Sequence, residues 1–156
     1  MRLTLIGGLT GVGLAIVLGV AQTTVNKAPK MPNINVVVQH FDKEEEVKYP
    51  FGMIRWLMSS KIDSGSAQTF GIVQINAHQH NALHSHPNSE EILYVLSGSC
   101  EHVVGNKRVT LHPGDLIRVP VGVPHQAFVI GNEPLRAVIS YNTGDREVVN
   151  YENTKE

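Results

Sequence analysis

Cysteine is nearly absent from this chain. Cys100 stands alone among 156 residues, so no intrachain disulfide can form and a thiolate metal cluster is excluded. Net charge is also close to nil. Thirteen basic residues face fourteen acidic ones, leaving a formal charge of −1. Composition therefore gives no footing for a nucleic-acid partner or for an anionic membrane surface. Beyond the first thirty-odd positions there is no helical period, and no internal repeat is visible anywhere.

What is present is an ordinary globular composition, 42% hydrophobic and 17% charged, with 14 glycines and 8 prolines to supply turns. The length suits one domain and is enough to bury a core without disulfides. The opening, "MRLTLIGGLTGVGLAIVLGVAQ", is of another kind. One basic residue, Arg2, precedes an uncharged apolar stretch over residues 3–21, and Gly19 and Ala21 fit a small-x-small cleavage site before Gln22. Residues 1–21 read as an export signal, giving a periplasmic or secreted protein. The stretch is also near the length of a membrane span, so an uncleaved anchor is the rival reading. Five glycines and two threonines dilute the apolar run and favour cleavage. Residues 22–33, polar with two prolines, read as a linker, and the domain proper as 34–156.

Within that domain short apolar runs alternate with turn chemistry. Strands are expected at 34–41, 53–58, 69–77, 91–98, 100–104, 107–111, 115–120, 125–130 and 135–141, with "DKEEEVKYP" as a charged loop between the first two. Many short strands at this spacing predict an all-β sandwich or barrel.

The chemistry concentrates in "HQHNALHSHPNSEE", residues 78–91, which holds four of the eight histidines. His84 and His86 are two apart, which puts them on one face of a strand. Glu91 opens the next apolar run on the same face as Leu93 and Val95. His125 begins its own strand after the rigid turn "PVGVP" and is the candidate fourth ligand. Three neutral imidazoles and a carboxylate suit Mn, Fe, Co, Ni, Cu or Zn, and not the all-oxygen sites of Ca or Mg. His80, four residues before His84, is the nearest further group with a pKa suited to proton transfer, and is the candidate catalytic acid/base. Arg118 reads as exposed strand face, Glu90 as a solvent carboxylate, Trp56 and Phe51 as core, His112 as a turn residue and Cys100 as a small buried residue. His40 and His102 carry no argument.

These same residues carry a resemblance. "HSHPNSEEILYVLSG" resembles the first motif of the cupin superfamily, H-x-H-x4-E-x6-G, with His84, His86, Glu91 and Gly98 in place. "GDLIRVPVGVPHQAF" resembles the second, G-x5-P-x-G-x2-H, with Gly114, Pro120, Gly122 and His125. The motif region is thus 84–125. The resemblance implies a jelly-roll barrel of about six to eight strands, with the metal near its centre and often a homodimer. Two positions depart from the pattern: His78 stands where the family has glycine, and Val129 where it has asparagine. The first leaves an unusual histidine in the turn before the ligand strand, and the second touches no ligand.

Four ligands leave two positions of an octahedral ion open, enough for a bidentate small substrate or for O2 beside a substrate oxygen. The expected function is a metal-dependent enzyme acting on a small oxygen-rich molecule. Its reaction is oxidoreductase (dioxygenase-like), lyase or isomerase in type, or hydrolysis. The alternative is a non-catalytic periplasmic cupin that binds a small, sugar-like ligand.

Overall fold

The computed structural model describes residues 36–151, with Ala28, Lys30 and Met31 before them. The expected signal or anchor at 1–21 lies outside the described residues, as does all of the expected linker except those three. Among the described residues no helix is long and apolar enough to cross a membrane.

Two antiparallel sheets carry the fold. Among the described residues eleven strands run in chain order: β1 (Glu46–Tyr49), β2 (Gly52–Met58), β3 (Thr69–Ile75), β4 (His84–Ser85), β5 (Glu91–Ser97), β6 (Ser99–Val104), β7 (Lys107–Leu111), β8 (Leu116–Val119), β9 (His125–Ile130), β10 (Leu135–Tyr141) and β11 (Val149–Asn150). One sheet has the order β1-β2-β3-β10-β5-β8 and the other β11-β4-β9-β6-β7. The all-β expectation holds, and the two-sheet arrangement is cupin-like.

Period-two alternation decides which side chains face inward. On β10, Leu135, Ala137, Ile139 and Tyr141 are buried, while Arg136 is exposed. On β5, Glu91, Leu93 and Val95 are buried, and Tyr94 and Leu96 are exposed. Facing rows from β9 (His125, Ala127, Val129) and β6 (Cys100, His102) close the interior. Fully buried Ile75, Leu135 and Val95 anchor the apolar end, each worth about 1.5–3 kcal/mol of burial. The rows change character along their length. They are aliphatic at one end and finish at the other in Glu91, Tyr141 and His125. Register aligns those ends, pairing Tyr141 with Glu91 across β10 and β5, and His125 with His84 across β9 and β4. Gly98, between β5 and β6, has φ +71°, and a Cβ there would run into the Pro134 carbonyl, so the motif's glycine is required for both reasons.

Two sequence expectations fail. Residues 36–40, the described part of the expected strand at 34–41, join no sheet and lead into a 3-10 turn, Phe41–Lys43. Val36, Val37 and Val38 are exposed. β-branched composition favours a strand only where a neighbouring strand is available, and here Arg55 instead holds the chain by donating to the Phe41 carbonyl at 2.6 Å and lying over its ring. Conversely, the charged "DKEEEVKYP" contains β1, which pairs with β2 as the edge of the first sheet. Charged side chains on an edge strand discourage further pairing, so charge and strand are compatible there.

Candidate metal centre

The four expected ligands meet. One donor atom from each of His84, His86, Glu91 and His125 lies within 4.8 Å of every other. His86, Glu91 and His125 are buried and His84 is half-buried. Each arrives by a short rigid route. His84 sits on β4 opposite His125 at the start of β9. The backbone at His86 is tied down by Gly122, whose N–H donates to its carbonyl at 2.8 Å. Gly122 belongs to the "PVGVP" turn, which closes with a Val123-to-Pro120 bond of 3.2 Å and delivers His125.

Each imidazole is oriented by a backbone carbonyl. Nδ1 of His84 faces the Ala82 oxygen at 2.8 Å, Nδ1 of His86 the Glu147 oxygen at 2.7 Å, and Nδ1 of His125 the Val123 oxygen at 3.0 Å. A carbonyl can only accept, so each Nδ1 carries a proton. In a neutral ring Nε2 then holds the lone pair. Nε2 of His86 and of His125 both lie 3.1 Å from Glu91 Oε2. That oxygen also accepts a hydrogen bond from the Tyr141 hydroxyl at 3.0 Å. A lone pair aimed at a carboxylate repels it. The contacts become attractive only when a cation stands between them, either a proton on Nε2 or a metal ion. The donor set, its burial and the three fixed tautomers therefore fit a divalent transition metal.

The electrostatics agree. Burial alone would push the Glu91 carboxyl up, but hydrogen bonds from His125 and His86, reinforced by their charge, hold it well below the usual carboxylate range. His125 is also pulled down by burial, yet the hydrogen bond and charge of Glu91 raise it above its ordinary value. His84 is lowered to about 4 by burial and then by the charge of His125. Burial, followed by the neighbouring Glu91 charge, raises Tyr141 well above the ordinary phenol, so it remains a neutral donor.

His80 lies elsewhere, and its expected catalytic place is corrected. It bridges to Phe128, its ring packs on the Phe128 ring at 5.2 Å, and its Nδ1 lies 3.0 Å from the Gln126 amide nitrogen. His125 points inward on β9, so Gln126 and Phe128 point to the other face of the sheet. His80 is thus exposed on the outside, and nearness in sequence misled. His78 is also exposed and has φ +62°, the left-handed conformation in which the family pattern keeps glycine. Arg118 pairs with Glu90 at 2.6 Å on the surface, Trp56 packs against the core, and burial raises the Cys100 thiol to about 11.

Sequence reasoning missed two residues. Tyr141 closes the inward row of β10, and its position on that row is the signal that could have found it. His102 lies parallel to His125, ring centroids 5.9 Å apart and planes 18° apart, and its buried Nδ1 has no partner. Burial lowers it to about 4, so it is a neutral imidazole. The shared parity of Cys100 and His102 on β6 was legible as an inward row.

Comparison with known proteins bears on the family and the fold. The family model for the cupin domain matches residues 71–141. An uncharacterized protein of Methanocaldococcus jannaschii is 27% identical over 124 residues, covering 76% of this chain and 99% of the relative. Among solved structures, the formate complex of Lactobacillus farciminis oxalate decarboxylase superposes with a TM-score of 0.67 at 23% identity, over 71% of this chain and 34% of that one. Bacillus subtilis oxalate decarboxylase, in a study of its Mn(II) centres, gives 0.66 at 22% identity, over 70% and 30%. The chain spans about a third of the length of these structures, and the likeness shows the fold.

Proposed function

We propose that this chain, a cupin by its residues 71–141, holds one divalent transition metal through His84, His86, Glu91 and His125 and uses it on a small oxygen-rich molecule, in lyase, isomerase or oxidoreductase chemistry. The observation that carries the reading is the arrangement of three Nδ1-pinned imidazoles around one buried carboxylate, which is repulsive without a cation. When bound, the metal supplies a Lewis acid for a carbonyl, carboxylate or enol oxygen of the ligand. The chain's own residues do the rest. Glu91 stays ionised and contributes the negative charge that favours a divalent ion. Tyr141 holds that carboxylate in place. The carbonyls of Ala82, Val123 and Glu147 keep the imidazoles aimed inward.

The Mn(II) centres of the B. subtilis oxalate decarboxylase make manganese the first metal to test, and oxalate and 2-oxo acids the first substrates. Elemental analysis of protein purified from its native compartment should find close to one equivalent of a transition metal per chain. Less than a tenth of an equivalent, with none taken up on adding Mn, Fe, Co, Ni, Cu or Zn, overturns the reading. Export belongs to the same proposal, supported by the apolar residues 3–21. Mass analysis should find a mature chain beginning at Gln22, and a full-length chain in the membrane fraction favours the anchor.

A second reading, a non-catalytic ligand-binding cupin, is favoured by one observation. The hydroxyl nearest the ligands, that of Tyr141, is committed to Glu91, and His80 lies outside the barrel. Recovery of a small molecule unchanged after long incubation with the metal-loaded protein supports this reading, and turnover eliminates it.

A further inference from the structure

Three arginines of the domain are paired with carboxylates: Arg55 with Glu46, Arg108 with Glu101 and Arg118 with Glu90. Among the described residues Arg136 and Arg146 are not; Arg136 lies over the Phe41 ring, and Arg146 borders a cavity. The guanidinium carbon of Arg146 sits against two aromatic rings, 4.8 Å from the centroid of Trp56 and 5.1 Å from that of Tyr141. The contact is a cation–π one, and among the described residues no carboxylate neutralises the guanidinium. Beside it is a cavity of about 130 Å3, lined by Trp56, Lys61, Asp145 and Arg146 among others. Lys61 also has no carboxylate partner among the described residues and is exposed. Asp145 offsets one of the two positive charges, so the cavity keeps a net positive rim.

The frame of this cavity is built. The Ser60 N–H donates to the Gly144 carbonyl at 2.7 Å, and the Thr69 hydroxyl to the Thr143 carbonyl at 2.8 Å. A Cβ on Gly144 would run into the Ser66 carbonyl, so the two loops meet closely at a glycine. Asn88 clamps the same segment twice, donating to the Asp145 carbonyl at 2.7 Å and accepting from the Glu147 N–H at 3.0 Å. Trp56 and Tyr141 belong to inward rows, which places the cavity at the rim of the barrel end that holds the four ligands. One face of Tyr141 lies under Arg146, and its hydroxyl reaches Glu91. The residue after Arg146 provides the carbonyl that orients His86.

The geometry points to a binding site for one small oxyanion, a carboxylate or phosphate group, in this cavity, held by the guanidinium of Arg146 and the charge of Lys61 beside Trp56. The planar fork of an arginine matches two oxygens of such a group, and the lysine adds a point charge. The volume admits the anionic group and a few attached atoms. The site stands independently of the metal reading, because none of the four ligands lines it.

Trp56 is the chain's one tryptophan, so its emission reports the cavity directly, with calorimetry as a second readout. The full chain is titrated with succinate, with inorganic phosphate and with chloride at matched ionic strength. A saturable response to succinate or phosphate, absent with chloride, is expected, and the tighter of the two identifies the source of the oxyanion. Arg146→Gln should weaken binding at least tenfold and Lys61→Gln about threefold to tenfold, while Asp145→Asn should strengthen it, all with metal content unchanged. The His84→Ala/His86→Ala variant should still bind the anion. A response equal with chloride, or unchanged in both the Arg146 and Lys61 variants, overturns the proposal. Loss of the response in the His84/His86 variant also overturns it, by placing the anion on the metal. Lys61 is exposed, so its variant reads out binding even if the Arg146 variant fails to fold.

Discussion

Two pairs of histidines, His78/His80 and His84/His86, lie within nine consecutive residues, and they meet opposite fates. His84 and His86 enter the interior, have Nδ1 tied to carbonyls and face a buried carboxylate. His78 and His80 lie on the outside, one in a left-handed turn and the other against Phe128. Both pairs have the same H-x-H spacing. The difference is strand register: the β4–β9 pairing sets His84 opposite His125, while the bridge from His80 reaches Phe128, whose side chain is on the other face of β9. Proximity along the chain is therefore a poor guide to a shared site, whereas parity on a paired strand is a good one.

Exchanging the fates of the two pairs is the strongest test of that contrast. His84→Ala/His86→Ala should abolish stoichiometric metal, as measured by elemental analysis, while His78→Ala/His80→Ala keeps a full equivalent and wild-type function. Equal loss in both would erase the distinction. The next effect is acid sensitivity of the metal-free protein. His84 and His102 are both lowered from 6.5 to about 4, with burial the main cause. Below pH 6.5 the unfolded chain takes up protons that these folded imidazoles refuse. Their contribution to stability is therefore whole above 6.5 and is lost as pH drops toward 4, by on the order of 3 kcal/mol for each residue, whereas that of the raised His125 is lost as pH rises above 6.5. Urea unfolding across that range reads the slope. His102→Phe should flatten it.

A smaller effect is expected at Tyr141. Tyr141→Phe removes the hydroxyl's hydrogen bond to Glu91 Oε2 without opening a cavity, and should weaken metal binding about 10- to 100-fold, as loss of such a supporting contact does. An unchanged metal affinity would make that hydroxyl merely structural. The smallest effect belongs to the outer pair and has the opposite sign. A non-glycine residue in the left-handed region costs roughly 1–2 kcal/mol, and glycine returns part of that gain as unfolded-state entropy. His78→Gly should therefore stabilise by about 0.5–1 kcal/mol, seen as a rise in melting temperature of a few degrees.

The legible part of this molecule is the part written at short range. His84, His86, Glu91 and Gly98 fall within one run, and the second motif fixes His125 through a turn of prolines and glycine. Strands β2, β3 and β5 to β10 were legible as short apolar runs between turns, whereas the two-residue β4 and β11 were not among the runs expected. Tyr141 was hidden because it meets Glu91 across 50 residues, through the β10–β5 register alone. His102 was hidden for the same reason, since its neighbour His125 lies on another strand. The valines at 36–38 looked like a strand because propensity describes the residue and does not reveal whether an open edge is within reach. In β1 the opposite error arose, with charge taken as a sign of loop where it marks a sheet edge.

The three carbonyls that orient the imidazoles have a consequence for how this protein can change over generations. A second shell of aspartates or asparagines can be lost by a single codon change. The oxygens of Ala82, Val123 and Glu147 belong to the main chain, and every amino acid, proline included, brings the same oxygen. The side chains at those three positions are free to drift, and with them the surface beside the barrel mouth, while the tautomers beneath stay set. A lineage could thus explore new ligands at the rim without having to rediscover its metal site each time.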